Sequence, residues 1–339
     1  MNESATPFRP LVLVTGGAGY VGSVLVRELL ARGHAVRVLD NLLYGDAALS
    51  ELDGRPGYEL VRGDIRSRAD LDRAARGAWA VAHLAGLVGD PACALDPAYT
   101  VAVNQDSSVP IAEACRAAGV ERFLFASTCS VYGAAGDDWL DEEARTAPVS
   151  LYAETNLRAE DLLRERFAGG GTALSILRFA TIHGVSPRMR FDLVVNLLTA
   201  RALARGAIEV HGGEQWRPQV HVRDVALALC LGLERSAGEA EGVFNVGSDD
   251  QNFRIRDLAQ AVVGAFPGTR AEVRDVRDPR SYRVRFERLR RGWGFGAAHS
   301  VDDGVREVGA FLRAGAVDAD DPRYHNVHSL SGRLGRAAS

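Results

Sequence analysis

The residues best suited to move a proton are a tyrosine and a nearby group of hydroxyl side chains. Tyr152 lies one turn into a predicted helix, just after Ser150, and Thr128 ends a buried apolar strand within segment 127–130. A threonine hydroxyl there could hold a substrate oxygen while the tyrosine takes or gives a proton. All forty basic residues are arginine, so a Schiff-base lysine and a lysine general base are excluded.

A glycine pattern near the start of the chain predicts a second chemistry, the binding of a dinucleotide. Glycines recur at positions 16, 19 and 22, between an aliphatic strand that ends at Thr15 and an apolar-periodic helix. Such glycines form the turn, let backbone N–H groups approach phosphates and let the helix pack on the strand. A second apolar run ends in Asp40, 18 residues beyond Gly22, where a carboxylate accepts hydrogen bonds from adenosine ribose hydroxyls. Its charge disfavours a 2′-phosphate, so the pattern predicts NAD rather than NADP.

Both groups of residues require a sheet that gathers strand ends at one edge. Strand-like runs alternate with helical segments, which predicts an α/β fold, a modified Rossmann fold with a doubly wound parallel sheet. We expect residues 1–180 to form the cofactor domain, completed by a strand between 220 and 247. Residues 181–320 would form a smaller C-terminal substrate lobe, and 321–339 a polar tail.

Three local features follow from the same reading. A polar, proline-bearing loop is expected over 86–97, and one long helix over 100–118 with Asn104 near its start. The run 242–247 reads as a strand that returns to the first sheet. In a doubly wound sheet, ligands lie at the carboxyl ends of the strands, where Thr128 and Tyr152 both project.

Composition excludes several functional classes. The 339 residues carry 40 basic and 44 acidic side chains, a net charge of −4, which gives no sign of a nucleic-acid or membrane partner. The four cysteines form no Cys-x-x-Cys pair, and no signal-peptide core or run of ~18 apolar residues occurs. We therefore expect a soluble cytoplasmic protein with free thiols. No metal is expected, since no cysteine or carboxylate pair completes a site with His325 and His328.

The sequence resembles the extended short-chain dehydrogenase/reductase family, in its NAD-dependent epimerase/dehydratase branch. The resemblance covers about residues 10–315. Beside Tyr152 and its helix, it rests on segments 15–22, 40–42, 63–65, 83–86, 127–133 and 215–224. It implies NAD-dependent modification of a nucleotide-linked sugar, of the 4-epimerase or 4,6-dehydratase type, through transient hydride transfer at C4. It also implies a homodimer formed through the helices over 100–118 and 151–166.

By this resemblance, Thr128 is the family's Ser/Thr and Tyr152 its acid/base. The residues expected at the cofactor are Gly16, Gly19, Tyr20, Val21, Asp40, Asn41, Asp64, Ile65, Leu84, Ala85, Gly86, Asn104, Tyr152 and Asn156. Those expected at the substrate are Thr128, Cys129, Asn196, Arg217 and Arg280. Arg217 matches a diphosphate-binding arginine of the family. Arg280 or Arg283 could be a second, with a solvated surface charge as the alternative for both. The stretch 188–192 could equally be a loop that closes the lobe.

One departure from the family pattern affects the chemistry directly. The family has Tyr-x-x-x-Lys, whereas this chain has Asn156 four residues after Tyr152, on the same helix face. Asparagine can bond the cofactor's ribose hydroxyls but supplies no charge. A cation ~5 Å from the phenol oxygen, at an effective dielectric constant of ~20, favours the phenolate by roughly 3 kcal/mol, or about two pKa units. Tyr152 is therefore expected to be a weaker base at neutral pH.

Three consequences of this substitution stay open. The protein could be a working nucleotide-sugar enzyme with a shifted pH optimum. It could use Tyr152 as an acid, as in an NAD(H)-dependent ketoreductase of a non-nucleotide natural-product intermediate. It could also be a catalytically impaired NAD-binding protein that serves as a sensor or assembly partner.

Overall fold

A computed structural model describes residues 9–276, 278–315 and 317–337, with the side chains up to residue 331. The strands in this part are β1 (Arg9–Thr15), β2 (His34–Asp40), β3 (Tyr58–Arg62), β4 (Ala80–His83), β5 (Arg122–Thr128), β6 (Ala134–Leu140), β7 (Ala173–Phe179), β8 (Thr181–His183), β9 (Ala207–His211), β10 (Trp216–His221), β11 (Gly242–Val246), β12 (Asn252–Arg254), β13 (Arg270–Arg274) and β14 (Ser281–Val284).

The helices are α1 (Tyr20–Ala31), α2 (Arg68–Ala75), α3 (Asp90–Leu95), α4 (Pro97–Val101), α5 (Ser108–Ala117), α6 (Leu151–Phe167), α7 (Val194–Arg205), α8 (Val222–Glu234), α9 (Ala237–Ala240), α10 (Ile255–Ala265), α11 (Glu287–Trp293), α12 (Val301–Arg313) and α13 (Asn326–Ala337). Short 3-10 turns and one π-helical segment, Ala102–Asp106, lie between them.

Seven strands form one sheet in the order β11-β7-β5-β4-β1-β2-β3, with every pairing parallel. The sheet grows in one direction from β1 through β2 to β3 and in the other from β4 onwards. The predicted doubly wound sheet is therefore confirmed, and its ligand-binding crevice is expected where the two halves meet. The run predicted over 242–247 is β11, which pairs with β7 at one edge of the sheet.

Alternation along the strands gives the sheet a core on each face. In β1, Val12 and Val14 join the cluster that contains α1 and α8, whereas Leu13 joins the cluster beneath α2, α5 and α6. All three side chains are at most 1% exposed. Strands buried on both faces are typical of parallel sheets, so continuous apolar runs were a reliable signal here.

A buried ion pair fixes α6, the helix that carries Tyr152, against the sheet. The Glu160 carboxylate is fully buried and accepts hydrogen bonds from Arg178 of β7 at 3.0 and 2.7 Å. It also accepts one from the Ser127 hydroxyl of β5 at 2.5 Å. Removing one partner of such a pair leaves an uncompensated buried charge. The position of α6 is thus tied to β5 and β7.

The remaining strands form three small sheets, ordered β12-β10-β8, β13-β9 and β14-β6. Helices α7, α10 and α12 pack together around Leu198, Leu258 and Val305 to form the core of the smaller lobe. The chain crosses between the two parts more than once, because α8 packs on α1 and β11 joins the large sheet. The division at residue 180 therefore stays a prediction. In the described part of the chain, no helix is both long and apolar enough to cross a membrane.

Two local predictions differ from the structure, and a third, the polar tail, stays a prediction. The expected loop over 86–97 contains α3, whose first turn holds a proline, so that prediction was wrong. The expected long helix over 100–118 is interrupted by the π-helical segment, which contains Asn104. The expected polar tail contains α13, which packs on α3 and buries Leu330. Residues 338–339 of that tail lie outside the described residues.

Candidate active site

A large cavity of about 950 Å³ lies at the carboxyl ends of the parallel strands. One wall comes from the ends of β1, β2, β4 and β5, and the other from the smaller lobe, including Arg217 and Arg280. Every residue predicted at the cofactor lines this cavity. Tyr152 and Thr128 line it as well.

The glycine turn leaves room for a phosphate group at the start of α1. Gly16 has φ +73°, and a Cβ atom there would lie 2.7 Å from backbone atoms of Ala85. Helix α1 begins at Tyr20 after Gly19, and neither a side-chain cap nor an acidic residue occupies its first turn. The free N–H groups of such a turn bind anions well. The predicted roles of the glycines fit this geometry.

Asp40 is held at the end of β2 by two backbone groups. Its Oδ2 accepts a hydrogen bond from the Ala18 N–H at 2.9 Å, and its Oδ1 from the Leu42 N–H at 2.8 Å. Burial raises the pKa of this carboxyl, and the two hydrogen bonds oppose that rise. This carboxylate still has free lone pairs, with which it can accept hydrogen bonds from ribose hydroxyls. Together with the open first turn of α1, it fits a dinucleotide without a 2′-phosphate.

The Asn104 side chain shapes the cavity wall by binding the backbone of Leu87. Its Oδ1 accepts the Leu87 N–H at 2.7 Å, and its Nδ2 donates to the Leu87 carbonyl at 2.9 Å. A Cβ atom on Gly86 would lie 3.3 Å from Asn104 Oδ1. The asparagine thus positions segment 84–87, and its amide is occupied by the protein itself.

Asp64 and Ile65 line the same cavity at the exit of β3. The Asp64 carboxylate pairs with Arg66 at 2.8 Å, and hydrogen bonds from Arg66 hold the pKa of this carboxyl below its usual value. Asn41 accepts the Leu43 N–H at 3.1 Å and so shapes the loop after Asp40.

Tyr152 and Thr128 both line the cavity, and each influences the other electrostatically. Burial raises the pKa of the Tyr152 phenol well above its usual range, and the Thr128 hydroxyl and the Arg190 charge lower it only in part. Asn156 lies one turn further along α6, and its Nδ2 donates to the Tyr152 carbonyl at 2.8 Å. Because burial raises the pKa of the phenol, it keeps its proton at neutral pH.

Two arginines that share one carboxylate also line the cavity. Arg217 lies 2.9 Å from Asp278, and Arg280 binds both oxygens of Asp278 at 2.8 and 2.7 Å. Burial raises the pKa of the Asp278 carboxyl, but the Arg280 hydrogen bonds and the Arg217 charge hold it below its usual value. Arg280 also pairs with Asp90, which accepts the Ser150 hydroxyl at 2.7 Å. The arginines are thus linked to the N-terminus of α6.

Three predicted substrate residues do not reach the cavity. The Cys129 thiol is 1% exposed and donates to the Arg178 carbonyl at 3.3 Å, because it lies on the opposite side of the chain from Thr128. Asn196 is fully buried and binds the Gly184 backbone and the Tyr20 hydroxyl. The second candidate arginine, Arg283, lies over the rings of Trp139 and Trp216 at 4.8 and 5.0 Å. The placements of Cys129 and Asn196 correct their predicted roles.

Several cavity residues were missed at the sequence level. Asp90 is a neighbour of Arg280 only in the fold, whereas Asp278 lies two residues before Arg280, a spacing that could have suggested their pairing. Arg190 and Asp192 form a bidentate pair at 3.0 and 2.7 Å, which their i, i+2 spacing in a stretch already noted could have suggested. Tyr44 and Arg188 also line the cavity.

Comparison with known proteins agrees with this geometry. Residues 12–247 match the model of the NAD dependent epimerase/dehydratase family. The chain is 31% identical to a UDP-glucose 4-epimerase of Azospirillum brasilense over 88% of this chain and 91% of the relative.

Two solved structures are similar over nearly the whole fold. One is the UDP-glucose 4-epimerase of Thermus thermophilus in complex with NAD, at 30% identity and a TM-score of 0.79, over 91% of this chain and all of the other. The second is MoeE5 in complex with UDP-glucuronic acid and NAD, at 30% identity and a TM-score of 0.78, over 90% and 99%. The chain therefore belongs to the NAD dependent epimerase/dehydratase family, and its cofactor is NAD.

Proposed function

We propose that this protein inverts the C4 hydroxyl of a sugar carried on a nucleoside diphosphate, as a 4-epimerase does. The supporting observation is that one cavity is lined both by Tyr152 and Thr128 and by Arg217 and Arg280. Guanidinium groups match the geometry of diphosphate oxygens. The similar solved proteins are complexes with NAD, and one also contains UDP-glucuronic acid.

Tyr152 and Thr128 would handle the oxygen and its proton. When bound, NAD would supply a reversible acceptor for the C4 hydrogen as a hydride. Tyr152 takes the hydroxyl proton as the C4–H bond breaks, and Thr128 holds the same oxygen as it becomes a ketone. Rotation of the ketone before the return step presents its other face, and Tyr152 then gives the proton back. The sugar loses and regains one proton and one hydride, so the reaction is balanced.

Inversion is favoured over water loss because it needs fewer protein groups. Dehydration requires an additional acid for the departing hydroxyl and an additional base for a C–H proton. The residues that follow Thr128 are Cys129, which faces away, and Ser130, whose hydroxyl lies 3.2 Å from the Tyr282 hydroxyl. A 4,6-dehydratase-type outcome remains the alternative within this family.

The Tyr-x-x-x-Asn motif would shift the pH dependence of the reaction. Burial raises the pKa of Tyr152, so little phenolate is present at neutral pH. The phenolate needed for C4 oxidation becomes more populated as pH rises. The same observation favours a second candidate, reduction of a ketone, in which the protonated tyrosine is the form required. We expect turnover of a sugar nucleotide to increase with pH.

A substrate panel with one variant tests the proposal. UDP-, TDP-, GDP- and CDP-sugars are incubated from pH 6 to 10, with absorbance at 340 nm and product mass as readouts. Tyr152→Phe is expected to lower turnover by at least about 100-fold while bound NAD is retained. Tyr58→Phe, which lies outside the cavity lining, is the matched control and should keep full turnover.

The other outcomes each name a different function. Turnover that survives in Tyr152→Phe would contradict the assigned acid/base. Bound NAD with no sugar turnover, but with reduction of ketones, would identify a ketoreductase, and no turnover of either would identify a non-catalytic NAD-binding protein. We also propose the homodimer through α5 and α6 implied by the family resemblance, and a monomeric mass in solution would contradict it.

A further inference from the structure

Arg188 differs from the other arginines that line the cavity. Arg190, Arg201, Arg217 and Arg280 each lie within 4.0 Å of a carboxylate. Arg188 has no ion pair within the described residues, although it is only 5% exposed. Its Nε and Nη2 atoms are buried and have no hydrogen-bond partner there. A buried charge without a partner is costly, so its presence beside a cavity calls for an explanation.

Tyr44 supplies a second unpaired donor beside it. The Arg188 guanidinium lies over the Tyr44 ring, 4.1 Å from its centroid. The Tyr44 hydroxyl is also buried without a partner in the described structure. Burial raises the pKa of Tyr44 to about 12, so its hydroxyl keeps the proton that it can donate. Burial and the Arg190 charge lower the pKa of Arg188 to about 10, which leaves it charged at neutral pH.

The backbone beside Arg188 is attached to the start of α1, and Tyr44 lies in the loop after β2, in the lining of the same cavity. Tyr44 follows Asp40 by four residues, in a loop where Leu42 has the left-handed value φ 55°. On the other side, the Arg188 N–H donates to the Ser186 hydroxyl at 3.3 Å, and that hydroxyl donates to the Tyr20 carbonyl at 2.7 Å. The segment that carries Arg188 is thus fastened to the first residue of α1. The free N–H groups of that helix face the same cavity.

We propose that the Arg188 guanidinium and the Tyr44 hydroxyl form a binding subsite for a phosphoryl group, opposite the N-terminus of α1. Charge-assisted hydrogen bonds from a guanidinium and a hydroxyl suit the several oxygens of a phosphoryl group. The diphosphate of NAD is the source that the anchoring on Tyr20 favours, and the diphosphate of the nucleotide sugar is the other. If the phosphoryl group belongs to NAD, the inference rests only on the cofactor assignment. If it belongs to the nucleotide sugar, the inference also rests on the proposed function.

Binding measurements on the full-length protein, freed of cofactor, distinguish the two sources without any turnover. ADP-ribose probes the cofactor diphosphate and UDP the substrate diphosphate, both by titration calorimetry. Arg188→Met keeps the apolar stem and should weaken ADP-ribose binding about 10- to 100-fold, as expected for loss of a hydrogen bond to a charged group. Tyr44→Phe removes one oxygen atom and should weaken it about threefold to tenfold. The affinity for UDP should change less than twofold in both variants.

Arg323→Met is the matched control, because Arg323 also lies over a tyrosine ring but is exposed and paired with Asp321. It should leave both affinities unchanged. Loss of UDP binding alone in Arg188→Met would assign the subsite to the substrate instead. Unchanged binding of both ligands would overturn the subsite, whatever the sugar panel shows.

Thermal unfolding gives a readout that does not depend on nucleotide. Inorganic pyrophosphate should raise the Tm of the wild-type protein more than that of Arg188→Met. The ligand-free Arg188→Met protein should be at least as stable as the wild type, since it no longer buries an unpaired charge. A variant that is less stable without ligand and equally stabilised by pyrophosphate would show that Arg188 is a packing residue.

Discussion

The two ends of the cavity are built by different means. At the cofactor end, backbone groups determine the geometry: the turn at Gly16, the open first turn of α1, and Asp40 held by two N–H groups. At the substrate end, side chains from distant segments hold one another, as Arg217 and Arg280 do through Asp278. At the first end, substitutions that place extra atoms against the backbone should have the largest effects. At the second end, substitutions that change the charge of a side chain should matter most.

The largest effect is expected where the backbone is most crowded. Gly16→Ala places a Cβ atom 2.7 Å from the Ala85 backbone at a φ of +73°. The left-handed conformation costs about 1–2 kcal/mol, and overpacking typically adds about 1–3 kcal/mol. We expect the free energy of unfolding to fall by about 2–5 kcal/mol, with loss of bound NAD, as measured by urea denaturation and cofactor content.

Gly33→Ala is the matched control for this prediction. Gly33 has a similar φ of +84°, but a Cβ atom there meets no atom within 4 Å. It should cost only the conformational part, about 1–2 kcal/mol, and leave NAD content intact. Equal losses in the two variants would show that contact with Ala85 does not constrain the turn.

A charge can be introduced beside Tyr152, the proposed acid/base. Asn156→Lys places a cation one turn from Tyr152 and should lower the pKa of its phenol by up to about two units, or roughly 3 kcal/mol. The phenolate would then form at lower pH, so the rising limb of the pH–rate profile for C4 oxidation should move towards neutrality by about one to two units. The measurement is kcat/KM for the accepted sugar nucleotide from pH 6 to 10.

Asn156→Gln separates charge from size in this experiment. It lengthens the side chain without adding a cation, so its pH profile should overlay that of the wild type. A shift of similar size in both variants would contradict the electrostatic explanation. An unmoved profile in Asn156→Lys would indicate that Arg190, whose charge already acts on Tyr152, is the cation that matters.

The sequence predicts features set by the local backbone better than features set by side chains from distant segments. The glycine turn and Asp40 were predictable because their geometry depends on residues close together in the chain. The parallel sheet followed from continuous apolar runs, including β11. Asp278 is close to Arg280 in sequence, but it lies 61 residues from Arg217, and Asp90 lies 190 residues from Arg280, so no local pattern could identify these two long-range pairs.

The failed site predictions have a similar physical cause. Cys129 adjoins Thr128 in sequence, but it begins a 3-10 turn in which its thiol is buried and bonds the Arg178 carbonyl. Asn196 lies on a helix next to cavity residues but uses its amide on the Gly184 backbone. Helix α3 was missed because its six residues are too short for a periodic signal and begin with Asp90–Pro91.

The smallest expected effect tests the link between the two ends. Ser150 caps α6 by accepting the Ala153 N–H at 3.4 Å, and it also donates to Asp90, which pairs with Arg280. Ser300 caps α12 away from the cavity, where it accepts the Asp303 N–H at 3.2 Å. Each serine-to-alanine variant should lose about 1 kcal/mol of unfolding free energy. Only Ser150→Ala should also lower kcat, by severalfold, because Arg280, which we propose to bind the substrate, is then no longer connected to the helix that carries Tyr152. An equal fall of kcat in Ser300→Ala would mean that the change reports general stability and that the two ends act independently.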